Sequence, residues 1–262
     1  MYPCVAFVSL FIAIWAAPAA WAKTEAEILQ EIFARPGFAT TKPPGEGPNG
    51  TTEVQFGVTP IWLELSPKGV IKGKMWYKYM WTDERLTWDA DQAKGLSSLK
   101  VNPTQIWMPD IFPYNRFASY HSMFSYLSDG SASNALIMTT GSIIFVPETA
   151  EEFICSDVNL DDFWGDQECY FKFGSWTYDG NLLNIVPFEG KTELDLDEYD
   201  KSSPLLIKKN SIERVVKYYP CCADEPYPHL LMSLTVQRKF YVQDNGVVIH
   251  NPRLKSTTDS CA

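Results

Sequence analysis

The sequence predicts an all-β sandwich or barrel preceded by one α-helix, on three observations. Apolar residues recur at helical spacing near the start, at Ala26, Ile28, Leu29, Ile32 and Phe33. From Thr52 onward apolar and polar residues mostly alternate in short runs, the period of half-buried strands. Clusters of turn formers separate those runs.

The helix is expected over 23–34, with Pro36 and Gly37 as its stop. A Pro/Gly-rich loop follows over 40–52. Val54, Phe56 and Val58 alternate, as do Ile61, Leu63 and Leu65, and Ser66-Pro67-Lys68-Gly69 turns the chain. An aromatic-rich strand is expected over 75–81. Runs at 135–138 and 143–146 flank Thr139-Thr140-Gly141-Ser142, a hairpin pattern. Further strands are expected at 169–176, 182–186, 211–219 and 230–242. The chain of 262 residues fits one large β domain or two small ones, and no repeat or clear boundary divides it.

Composition narrows the setting. The formal net charge of −10 argues against nucleic acid and acidic membrane surfaces as partners, and it suits steering of a cation. Residues 1–22 carry no charge and end in Ala20-Trp21-Ala22, the pattern of a signal peptide cut before Lys23. No later apolar run reaches the roughly 18 residues of a membrane helix. The expectation is a secreted, extracellular and soluble chain, with Asn49-Gly50-Thr51 as a glycosylation sequon. Two acidic stretches, one from Glu148 to Glu168 and one from Glu193 to Asp200, invite calcium, but no twelve-residue EF-hand pattern occurs and no metal site or cofactor is assigned.

Five cysteines follow the expected cleavage point. Cys155 and Cys169 enclose thirteen residues, and a disulfide there would constrain the unfolded chain by about 3 kcal/mol. Cys221 and Cys222 are adjacent. A bond between them would close a tiny strained ring of little value to stability, making a rigid knob at a loop tip; the alternative is two thiols paired elsewhere. Cys261 is the odd one out, available for a link between subunits.

Around the adjacent pair the chain reads Tyr218-Tyr219-Pro220-Cys221-Cys222-Ala223-Asp224-Glu225-Pro226-Tyr227. This resembles the ligand-capping loop of the Cys-loop receptor family, the nicotinic acetylcholine receptor α-type subunits and the soluble acetylcholine-binding proteins. Trp81-Thr82-Asp83 with Leu86 and Trp88, Ile106-Trp107-Met108-Pro109-Asp110-Ile111 with Tyr114-Asn115, and Phe173-Gly174-Ser175-Trp176-Thr177-Tyr178 are similar to the family's motifs, in the same order. The spacing of Cys155 and Cys169 is that of the family's Cys-loop.

The resemblance implies an Ig-like ten-strand β-sandwich over 23–242 with an N-terminal helix, assembled as a homopentamer with a ligand between subunits. It implies Tyr114, Trp176, Tyr219, Cys221, Cys222 and Tyr227 on the principal face, with Cys221-Cys222 bonded. Trp76, Leu136, Ile144 and Val146 would form the complementary face. A quaternary ammonium has no hydrogen-bond donors, so π faces suit it better than carboxylates, each desolvated contact offering about 2 kcal/mol. Acetylcholine, nicotine or a similar cationic amine is the ligand this implies.

The chain departs from the family's channels in three places. Phe163 stands where a proline is expected in the Cys-loop, the segment 116–133 is longer than usual, and residues 243–262 read as a polar tail. Hence a soluble binding protein is expected, the alternatives being the ectodomain of a ligand-gated channel or a secreted structural pentamer with a vestigial site. An enzyme is disfavoured: His121, His229 and His250 lack metal-ligand spacing, and no G-x-S-x-G, P-loop or dinucleotide fingerprint occurs.

Overall fold

Thr24 caps helix α1 (Glu25–Phe33) by accepting the Glu27 N–H, while the Glu27 carboxylate accepts the Thr24 N–H in return. The apolar stripe buries Ile28 and Ile32 against the sheets. The computed structural model describes residues 23–45, 50–93, 95–117, 133–155, 157–159 and 161–254. The expected leader at 1–22, the sequon residue Asn49, most of the long segment 116–133, and Cys261 lie outside the described residues.

β1 (Thr52–Leu65) and β2 (Val70–Thr82) pair antiparallel. Their alternation turns Val54, Phe56 and Leu63 of β1 and Met75, Tyr77, Tyr79 and Trp81 of β2 inward. Gly69 closes the turn between them at φ 79°, and Ser66 Oγ accepts the Val70 N–H at 3.0 Å. Pro60 has no N–H for the ladder, and the register slips between Pro60 and Trp62. That irregularity lets one strand run on through a proline.

The chain continues through β3 (Ser98–Val101), β4 (Ile111–Pro113), β5 (Ala135–Met138), β6 (Ser142–Phe145) and β7 (Glu148–Ile154). Then come β8 (Asp166–Ser175), β9 (Leu183–Pro187), β10 (Leu205–Tyr219), β11 (Cys222–Arg238), β12 (Phe240–Val242) and β13 (Val248–His250). The larger sheet has the order β3-β5-β6-β2-β1-β9, with β7 also on β2, and the smaller has the order β10-β11-β8-β4. β6 pairs with residues 79–82 of β2 and β7 with residues 70–76, so the two lie end to end, interrupted at Val146-Pro147. Counted as one broken strand they bring the sandwich to the ten expected strands.

The core lies between the sheets. Phe56 and Tyr77 of the larger sheet meet Phe173 of the smaller at ring distances of 4.9 and 5.3 Å, and Phe153 meets Phe171 at 4.4 Å. Each fully buried ring of this kind contributes about 1.5–3 kcal/mol. The Cys155–Cys169 disulfide is formed, tying the end of β7 to β8.

Two stretches differ from expectation. β10 and β11 are longer than the sequence suggests, because polar residues such as Lys208, Lys209 and Glu225 ride on the hairpin's exposed face. Residues 248–250, expected within a polar tail, pair with β12. Asn251 then buries its side chain, donating to the Arg238 and Trp164 carbonyls at 2.7 and 3.2 Å, and Arg253 pairs with Asp162 at 2.7 Å. The tail's first half therefore packs on the altered Cys-loop.

Candidate functional site

The four-stranded sheet gathers the predicted principal residues at one end. Tyr114 follows β4, Trp176 follows β8, and Tyr219 and Tyr227 flank the tip of the β10–β11 hairpin. They line a cavity of about 350 Å³ together with Lys172, Ser175 and His229. Tyr114 lies 6.2 Å from Trp176, and Tyr219 lies 5.2 Å from Tyr227, ring centre to ring centre and edge-on in both pairs. Trp176 is 72 % exposed, an unusual state for so large an apolar ring. Two larger hollows, about 740 and 450 Å³, lie elsewhere and contain none of these rings.

The loop that carries Trp176 is pinned by a residue the sequence offered only as part of a motif. Asp110 is buried and accepts from Ser175 Oγ at 2.6 Å and from the Thr177 N–H at 2.7 Å. Ser175 Oγ in turn accepts the Tyr178 N–H at 2.8 Å. Tyr114 donates its hydroxyl to the Ser175 carbonyl. Gly174 makes room for that ring: a Cβ there would stand 2.4 Å from the Tyr114 hydroxyl. Burial, with Tyr219 and Asp110 nearby, pushes the Tyr114 phenol up to about 12, so it stays neutral. The Tyr227 hydroxyl donates to Glu225 at 2.7 Å, which raises its pKa and keeps the carboxylate occupied.

Cys221 and Cys222 cap the hairpin, where Tyr219 pairs with Cys222 across a two-residue turn. Both are free thiols with sulfurs 2.8 Å apart, longer than the ~2.05 Å of a disulfide. Cys222 donates to Cys221, and that hydrogen bond, followed by burial, pushes the Cys222 thiol up to about 11.

Trp76, Leu136 and Ile144 lie on the other sheet, and Val146 directly follows β6 at the break before β7. Leu136 pairs with Ile144, and Ile144 with Met80, four residues along β2 from Trp76. All four are half-buried on the sheet's outward face, since their neighbours Met75, Tyr77, Ile137, Ile143 and Phe145 point into the core. None of them lines the aromatic cavity. The two predicted faces sit on different sheets of one chain and are not brought together within it.

Lys172, Lys217 and His229 went unrecognised in the sequence. Lys172 Nζ stands 5.5 Å from the Tyr114 ring centre and Lys217 Nζ 4.6 Å from that of Tyr219. His229 is buried, and burial followed by the charge of Lys172 holds its pKa below the usual histidine value. The signal for them is register: His229 pairs with Gly174, beside Lys172 on the same strand.

The acidic run does not gather into a metal site. Glu148, Glu151, Glu152, Asp162 and Asp166 pair with Lys74, Arg116, Lys72, Arg253 and Lys208. Among the described residues no group of three or more His, Cys, Asp or Glu side chains is poised around a common point. Sequence-distant bases neutralise acids that look unaccompanied in one dimension.

A two-sheet sandwich with a Cys-loop bond and an aromatic end cavity defines a class of ligand-binding domain. The profile of the neurotransmitter-gated ion-channel ligand binding domain matches residues 25–240, and the chain belongs to that family, which binds ligands and is not enzymatic. It is similar to acetylcholine receptor subunit alpha-like 2 of Drosophila melanogaster, 31 % identical over 179 residues, covering 65 % of this chain and 30 % of that one. Acetylcholine receptor subunit alpha-L1 of Schistocerca gregaria is 32 % identical over 178 residues, with 65 % and 30 % covered. Human neuronal acetylcholine receptor subunit alpha-9 is 31 % identical over 176 residues, with 66 % and 35 % covered. The chain spans about a third of the length of these relatives. No helix among the described residues is long and apolar enough to cross a membrane.

Proposed function

We propose that the chain is a secreted binding protein that assembles as a homopentamer and holds acetylcholine or a similar cationic amine at its subunit interfaces. Tyr114, Trp176, Tyr219 and Tyr227 supply the aromatic faces, with Cys221 and Cys222 on the lid. Trp76, Leu136, Ile144 and Val146 of a neighbouring copy supply the opposite wall. In this reading residues 1–22 are removed on export, 23–242 form the binding domain, and Asn49 carries a glycan.

The observation that carries the reading is Trp176, a tryptophan left 72 % exposed beside three tyrosines. An indole so placed contributes little to the fold, but it offers a cation the best available ring face. The separation of the two predicted faces onto different sheets supports an interface site. The names of the similar chains, all acetylcholine receptor subunits, support the ligand class.

A second reading, the ectodomain of a channel subunit, is favoured by the relatives being receptor subunits of which this chain spans a third. Both readings share the ligand site. Purified protein titrated with acetylcholine, nicotine and serotonin should show saturable tryptophan fluorescence quenching. Absence of quenching by all three at millimolar concentration would overturn the cation site.

A further inference from the structure

We propose that the hollow of about 450 Å³ bounded by Asp110 and Tyr178 is a second ligand site, separate from the aromatic cavity. It takes a protonated primary or secondary amine carried on a short arm from an aromatic ring, with Asp110 as the anion that receives the ammonium.

The two hollows share one loop. Ser175 and Trp176 line the aromatic cavity, whereas Thr177 and Tyr178 line this one. Its volume falls within the range of small-molecule sites, about 300–1,000 Å³. Asp110 lines it and does not line the aromatic cavity, and no Lys, Arg or His stands in its wall.

Three carboxylates are buried among the described residues: Asp83, Asp110 and Glu151. Arg85 pairs with Asp83 at 2.8 Å and Arg116 with Glu151 at 2.7 Å. Asp110 alone of the three has no base: its oxygens accept only from neutral donors, the Ser175 hydroxyl at 2.6 Å and the Thr177 N–H at 2.7 Å. A carboxylate offers about four lone-pair sites, so this one keeps acceptor capacity beside the hollow. A buried charge is costly unless it is paired. An ammonium with N–H groups supplies that pairing in a charge-assisted hydrogen bond.

The rest of the wall sets the body of the ligand. The Trp107 and Tyr178 rings lie 6.3 Å apart, tilted at 60°, and Ile106 and Met108 add aliphatic surface. An aryl group buries well against such rings. A quaternary nitrogen suits the hollow badly, since it has no N–H to give Asp110. The two hollows thus sort amines in opposite directions, π faces favouring the fully alkylated cation and the carboxylate favouring one that still donates.

The test is calorimetric titration of purified Trp176→Ala protein, in which the aromatic cavity has lost its largest ring face. The probes are 2-phenylethylammonium and its N,N,N-trimethyl derivative. The primary amine should bind saturably, and at least about tenfold tighter than the trimethyl form. In the same background Asp110→Asn should weaken the primary amine by at least about tenfold and shift the trimethyl form by less than about twofold. Crystals grown with the primary amine should show its ring beside Trp107 and Tyr178 and its nitrogen on Asp110. The proposal is overturned if the primary amine does not bind the Trp176→Ala protein, if the trimethyl form binds as tightly, or if Asp110→Asn changes nothing. Density for the amine only among Tyr114, Tyr219 and Tyr227 also overturns it. The comparison of the two probes needs no change at Asp110, so it decides even where Asp110→Asn does not fold. Quenching by acetylcholine in the unsubstituted protein reports the other site independently.

Discussion

Trp176 and His229 sit in one cavity and fail in different ways when altered. Trp176 is largely solvent-facing, so Trp176→Ala should leave stability within about 0.5 kcal/mol while weakening acetylcholine binding by about 2 kcal/mol. Denaturant melts and fluorescence titration check the two halves, with Trp164→Ala as a control that leaves binding unchanged. His229 has a native pKa below its unfolded value of 6.5. The unfolded chain therefore binds more protons as pH falls through 6.5, and native stability falls with it. Melts between about pH 7.5 and 5.5 should lose stability, and His229→Gln should flatten that slope. The sequence offered the rings because their spacing stands inside motifs. Lys172 and His229 were silent because each resembles an ordinary strand residue until the β8–β11 register places them diagonally across the pair, His229 opposite Gly174 and Lys172 opposite Leu231.

At the scale of elements, two attachments hold the lower end of the sandwich. The Cys155–Cys169 bond closes a loop of thirteen residues, and replacing both cysteines by serine should lower unfolding free energy by about 3 kcal/mol in urea. The β12–β13 hairpin depends on Asn251, whose amide holds two carbonyls and whose oxygen accepts the Arg253 N–H at 2.9 Å. Asn251→Ala should cost about 1–3 kcal/mol and speed proteolysis of residues 240–254. Alternation made most long strands readable, β1, β2 and β8 among them. It could not reveal β12 and β13, which have three residues each and whose pairing is fixed by packing on Trp164 and Arg238.

For the whole molecule, the division of predicted faces between two sheets makes a test by mixture. Trp76→Ala and Trp176→Ala copies should each assemble with weakened binding, yet co-expression should restore part of the full-affinity binding. Every contact in which an intact Trp176 meets an intact Trp76 regains a complete site; no recovery on mixing would place the site within one chain. The same division gives binding a second meaning. Under the proposed interface site each copy would own two unlike halves, so the number of complete sites would equal the number of contacts made, not the number of copies. Ligand bound per copy then reads the closure of the assembly: a finished ring takes one ligand for every copy, whereas an open row of the same copies always falls one short.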